Sequence, residues 1–188
     1  MSVKLDRRKK YTRMLLKESL MKLMQEKPLS NITIKEICDL ADINRSTFYS
    51  HYTDLYDLLY QIEDEIIKDL SEALSSYNYT KDEEALQMTE NLLVYIANNR
   101  ESCQTLFSEY GDPSFQKKVM MLAHDHVIKT PLVGKHTKPD ISEYVSLYIV
   151  NGSIHIVQSW LKNGLKQSPK EMAELIIKLG NRGLSSFQ

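Results

Sequence analysis

Apolar residues along this chain recur at intervals of three and four, and sustained alternation of apolar with polar positions is almost absent. Such spacing lines one face of a helix, whereas a strand needs a period of two, so the pattern predicts an all-α protein. The first stripe, Leu16, Leu20, Leu23 and Met24, predicts a helix over 11–25 ending ahead of Pro28, because proline disfavours helical backbone in the residue before it. A second stripe follows in Ile34, Ile37, Cys38 and Ala41. Thr33 stands at its N-cap position and Glu36 three residues on, the spacing of a capping box. Asp42-Ile43-Asn44 then predicts a tight turn, since Asp tolerates unusual backbone angles and Asn44 can cap a further helix over 45–52.

Asp54 caps a long helix predicted to run to 75, with Leu55, Leu58, Leu59, Ile62, Ile66, Leu70 and Leu74 on its buried side. Further helices are predicted over 82–98, 100–110 and 113–129, the last two divided by Gly111-Asp112-Pro113, and 130–139 reads as a loop. The stretch 141–163 is apolar nearly all round, through Val145, Tyr148, Ile149, Ile154, Ile156, Val157, Trp160 and Leu161, which predicts a face buried in a subunit interface. The last helix opens on Ser168-Pro169-Lys170-Glu171, a second capping box with proline at the first helical position, and presents Met172, Leu175, Ile176 and Leu179. Gly180 and Gly183 in that helix would admit close approach by another.

Composition narrows the function classes. A chain of 188 residues with 42% hydrophobic content can build a core. It holds no apolar run of membrane-spanning length and no signal-peptide pattern, so a cytoplasmic protein is expected. Cys38 and Cys103 lie far apart in apolar helical patterns, as reduced packing residues do. The net charge of −1 hides an asymmetry: residues 1–52 hold 11 Lys and Arg against 6 Asp and Glu, a net of +5, and the remainder a net of −6. A basic first third on an acidic protein suits a chain that meets a polyanion with one end.

In a helix-turn-helix the second helix enters the major groove and the first packs behind it, so the sequence must be apolar behind and small, polar or basic in front. Residues 33–52 meet that demand: Ile37, Ala41, Ile43 and Phe48 face inward, which leaves Arg45, Ser46, Thr47, Tyr49, Ser50 and His51 for DNA. Thr33, Tyr49 and His51 are of the types that hold phosphates. Lys4, Arg7, Arg8, Lys9, Lys10 and Arg13 form a basic arm over 1–10 and just beyond, suited to tracking phosphates or a minor groove.

From Thr12 to Leu59 the chain resembles the TetR family of regulators, through Thr33, Ile37-Cys38, Ala41-Asp42-Ile43-Asn44, Thr47-Phe48-Tyr49 and His51-Tyr52, framed by Thr12-Arg13 and Leu58-Leu59. Cys38 stands for the family's usual Ala, Asp42 for its turn Gly, and Leu55 for a Lys that often contacts phosphate. Further on, Gly111-Asp112-Pro113-Ser114-Phe115 and Gly152-Ser153-Ile154 through Trp160 resemble a C-terminal domain common among Gram-positive members.

The resemblance implies an N-terminal three-helix DNA-binding domain over 1–53 and a helical ligand-binding and dimerisation domain over 54–188. It also implies base reading by Arg45, Ser46 and Thr47, a homodimer joined through the last two helices, and a repressor released from a near-palindromic double-stranded operator by a small-molecule inducer. The alternative is a coactivator or adaptor whose C-terminal domain binds a partner protein. Tyr95, Phe107, Tyr110, Phe115, Tyr148, His155 and Trp160 are the candidate walls of a ligand pocket. His124 and His126 point to different faces of one helix and His136 falls in the loop, so no metal site is expected. No nucleophile with a base and no paired carboxylates stand out, Asp82, Glu83 and Glu84 being scattered acids, so neither an enzyme nor a cofactor is expected.

Overall fold

A computed structural model of the chain describes residues 2–75, 82–129 and 139–185, with side chains described for 7–75, 83–127 and 141–181. Helices follow one another as α1 (Ser2–Met24), α2 (Ile34–Ala41), α3 (Arg45–Tyr49), α4 (Leu55–Ser75), α5 (Asp82–Asn98), α6 (Arg100–Leu106), α7 (Pro113–Lys129), α8 (Pro139–Lys162) and α9 (Pro169–Ser185). Among the described residues there is no strand. The all-α expectation therefore holds, while most of the predicted loop, His136, the side chains of Lys4 and Asp82 and the surroundings of Gly183 lie outside the described residues.

Two compact units share the chain. One is Met1–Ile66 with Thr105–Asp112, the other Ile67–Gln104 with Pro113–Gln188. Within α4, Leu58, Leu59 and Ile62, all buried, belong to the first unit. In that unit α1 packs on α2 and α2 on α3. The stripe Leu16, Leu20 and Met24 is wholly buried, and Leu23 only half so.

Three helix ends differ from expectation. α1 begins at Ser2 instead of 11, so Thr12 and Arg13 lie within it. Lysine and arginine are good helix formers, and a charged run without an apolar stripe extends a helix that is nucleated further along. α3 ends at Tyr49, where Ser50 caps it. α6 ends at Leu106, and the chain turns through a Ser108 hydroxyl bond to the Thr105 carbonyl at 2.7 Å. Gly111 closes this turn: a Cβ there would stand 2.0 Å from the Leu106 carbonyl oxygen, so no other residue fits without backbone movement.

In the second unit α9 lies against α5, α7 against α8, and α8 against α9. Leu93, Trp160, Met172 and Ala173 form its buried centre, with Leu86, Ile96, Ile156, Val157 and Ile176 packed around them. The Trp160 indole N–H donates to the Gln167 carbonyl at 3.0 Å, which removes the cost of burying it. Gly164 and Leu165 both adopt positive φ in the turn that follows α8. Ser168 then starts α9 with the predicted capping box, its N–H and hydroxyl each donating to Glu171 Oε2 at 2.8 Å.

Candidate nucleic-acid interface

The helix-turn-helix is fixed by side chains that satisfy its own backbone. Thr33 Oγ1 accepts the Glu36 N–H at 3.2 Å, while the Thr33 N–H and hydroxyl donate to Glu36 Oε2 at 2.8 and 2.9 Å. Lys27 Nζ donates to the other carboxylate oxygen at 2.5 Å, a contact nine residues away that no local pattern signals. These bonds, that from Lys27 foremost, hold the Glu36 carboxyl at about 2, well below the usual carboxylate range. α2 stops at Asp42, which takes φ 53 and ψ 46, and the Ile43 N–H returns to the Cys38 carbonyl at 2.9 Å. Asn44 Oδ1 then accepts the Ser46 N–H at 2.9 Å and starts α3.

Behind this backbone Ile37, Cys38, Ala41 and Phe48 are buried and Ile43 is half-buried. The Phe48 ring meets Tyr49 edge-on at 5.6 Å and Tyr52 at 5.8 Å, which fixes the roll of α3. Tyr52 is buried as well, and burial pushes its phenol up to about 12. Burial likewise raises the Cys38 thiol, as befits a packing residue.

What remains outward is a short polar ridge. Arg45, Ser46, Tyr49 and Ser50 are exposed, Thr47 and His51 half-buried. Arg45 makes no ion pair among the described residues and is free to reach outward. Two hydroxyl protons are engaged locally: Ser46 donates to Asn44 Oδ1 at 3.0 Å and Ser50 to the Thr47 carbonyl at 2.6 Å. Both oxygens keep acceptor capacity. Thr33 has both its donors on Glu36, so it serves α2 as a cap. The His51 ring is held below its ordinary value by burial and then by the charges of Arg13 and Lys9, which brings α1 cations to the end of α3.

The α4 start completes the surface differently from the family pattern. Leu55 is half-buried, Asp54 Oδ1 accepts the Asp57 N–H at 2.8 Å, and Asp57 Oδ2 accepts the Thr53 N–H at 2.9 Å. Two carboxylates thus occupy the positive end of that helix.

The candidate pocket residues differ in exposure and in partners. Tyr148 is 79% exposed, and His155 is exposed with Nδ1 2.8 Å from the Asn151 carbonyl of its own helix. Tyr95 is tied to Asp69 through its hydroxyl at 2.8 Å, while Phe115 and Trp160 are buried. Phe107 and Tyr110 are half-buried in the segment that belongs to the first unit. Spacing identified these aromatics but carried no information on which side of each helix faces the core. Among the described residues no group of three or more His, Cys, Asp or Glu could hold a metal ion, and no helix is long and apolar enough to cross a membrane.

The family described as transcriptional regulator C-terminal region, of the TetR type, matches residues 83–182. An uncharacterized HTH-type transcriptional regulator of Bacillus subtilis (strain 168), YxbF, is 25% identical over 174 residues, 87% of this chain and 43% of that protein. The chain therefore spans less than half of that relative's length. Among solved structures, a TetR transcriptional regulator from Streptococcus agalactiae 2603V is 23% identical with a TM-score of 0.66, over 96% of this chain and 99% of that one. The dihydroxyacetone kinase operon activator DhaS is 20% identical with a TM-score of 0.61, over 94% and 98%. The likeness of fold runs nearly end to end, the family match covers more than half of the residues, and the chain belongs to the TetR family of transcriptional regulators.

Proposed function

We propose that the protein binds a near-palindromic operator as a cytoplasmic homodimer and represses transcription until a small-molecule inducer releases it. The observation that carries this reading is the outward ridge of α3, where Arg45, Ser46, Thr47 and Tyr49 stand on a helix locked from behind by buried Phe48 and from its start by Asn44. In that reading Arg45 takes a guanine edge, the Thr47 methyl a thymine, and Tyr49, Ser50 and His51 the flanking phosphates. The protein then acts by binding and not by catalysis.

Dimerisation through α8 and α9 is supported by the apolar side chains these helices leave outside a single chain: Ile141, Tyr144, Leu147 and Tyr148 on one, Leu175 and Leu179 on the other. Operator binding in this reading calls for two recognition helices about 34 Å apart, one turn of the duplex. Inducer release follows if the ligand prefers a dimer with a different spacing, by its differential affinity for the two forms. The structurally similar DhaS is a dihydroxyacetone kinase operon activator, which keeps positive control as the second reading.

The test is Arg45→Ala on a duplex that the wild-type protein enriches from a random-sequence pool. Loss of about 1–3 kcal/mol of specific binding, with relaxed selectivity at one position of each half-site, is expected. Unchanged affinity and selectivity would remove Arg45 from base reading.

A further inference from the structure

A serine side chain reads DNA ambiguously, because its hydroxyl both donates and accepts. For Ser46 on α3 that ambiguity is removed. Asn44 Oδ1 accepts the Ser46 N–H at 2.9 Å and the Ser46 hydroxyl at 3.0 Å. A backbone N–H only donates, so it fixes the oxygen end of the Asn44 amide toward α3, and that oxygen then has both lone pairs engaged. The Ser46 proton is thus turned back along its own chain. What the exposed side chain offers outward is an oxygen with lone pairs and no hydrogen.

Such an acceptor distinguishes sharply among the groups of a duplex. Phosphate oxygens only accept, so a hydroxyl whose proton is spent gives them nothing. In the major groove guanine N7 and O6, adenine N7 and thymine O4 also accept, and only the exocyclic amines, N6 of adenine and N4 of cytosine, donate. Arg45, the preceding residue, carries donors alone, so two neighbouring side chains of α3 have opposite polarity.

We propose, resting on the DNA-binding reading above and deepening it, that Ser46 is an acceptor-only reader of one exocyclic amine, of adenine or of cytosine, and that Asn44 is the positioning residue that sets this polarity. One position in each half-site then has a chemical class: an amine-bearing base on the strand that faces Ser46. Guanine or thymine at that position would put a carbonyl oxygen where the amine stood, against the Ser46 oxygen. Accepting either would require Ser46 to give up its bond to Asn44, leaving Oδ1 with one donor in place of two.

The test compares the duplexes that the wild-type protein and Ser46→Ala enrich from one random-sequence pool. At one position of each half-site the wild-type protein should select adenine or cytosine over guanine and thymine by about 5–10-fold, and Ser46→Ala should lose that choice there alone. Replacing the selected base by its analogue without the amine, purine for adenine or 2-pyrimidinone for cytosine, should weaken wild-type binding about 5–10-fold and weaken Ser46→Ala no further. Asn44→Gly keeps a favourable residue at the start of α3 but frees the Ser46 hydroxyl to donate, and should bring the preference below about twofold. Thermal melts followed by circular dichroism check that this variant is folded. Guanine or thymine at the position that Ser46→Ala relaxes would overturn the amine reading, as would an unchanged selection by Ser46→Ala. A preference intact in folded Asn44→Gly would overturn the role of Asn44. Failure of the wild-type protein to enrich any duplex would overturn the DNA reading and the role of Ser46 with it.

Discussion

Asp42 is where the backbone asks for a residue the sequence does not supply. Its φ of 53 and ψ of 46 are those of the left-handed region, which costs an L-residue about 1–2 kcal/mol, with Asp among the most tolerant types. The carboxylate is exposed and makes no hydrogen bond or ion pair among the described residues, so its removal forfeits no contact. Asp42→Gly relieves about 1 kcal/mol of strain and gives back about half of that through glycine's freer unfolded chain. The net gain is about 0.5 kcal/mol, or about 1–2 °C in melting temperature for a protein of this size. Asp42→Ala keeps the Cβ, loses the local polarity that makes Asp tolerable, and should lose about 1 kcal/mol. Thermal melts followed by circular dichroism give the order Gly above Asp above Ala. Hydrogen exchange at the Ile43 amide, bonded to the Cys38 carbonyl, reads the same order at the turn itself. An alanine variant as stable as the glycine one would refute left-handed strain as the deciding factor.

Two further predictions concern stability. Glu36 is held at about 2 from an ordinary 4.5, so its ionised form stabilises the fold fully above pH 4.5 and that stability is lost as pH falls towards 2. Glu36→Gln should be less stable at pH 7 and lose less on acidification, as denaturant titrations across that pH window will show; a parallel acid dependence in both proteins would contradict this. Trp160→Ala empties the centre of the second unit and leaves the Gln167 carbonyl without its donor. A loss of about 3–5 kcal/mol is expected in chemical denaturation, and a loss under about 1 kcal/mol would mean the core closes over the gap.

What the sequence made legible was what short-range chemistry decides. Thr33 and Glu36, Asp42, Asn44 and the Ser168 box each act within about four residues, so their types and spacing name both the donor and the acceptor. Leu16, Leu20 and Phe48 were readable as core because one periodic stripe has one inward side. The start of α1 was not, since Arg7 to Lys10 carry no apolar period and extend the helix by propensity alone. The contact of Lys27 with Glu36, nine residues away, arises from how segments fold back on one another, and no local signal encodes it. Tyr148 and His155 illustrate the same limit in the second unit: their residue types suit a pocket wall, but exposure depends on the direction each helix faces.

The central claim is that α3 reads an operator as one of a symmetric pair. The most direct measurement is selection of bound duplexes from a random-sequence pool, followed by a hydroxyl-radical footprint on the winner. The account predicts a near-palindromic sequence with two protected half-sites centred about one helical turn, roughly 34 Å, apart. No enrichment, or an enriched sequence without two-fold symmetry, would contradict it.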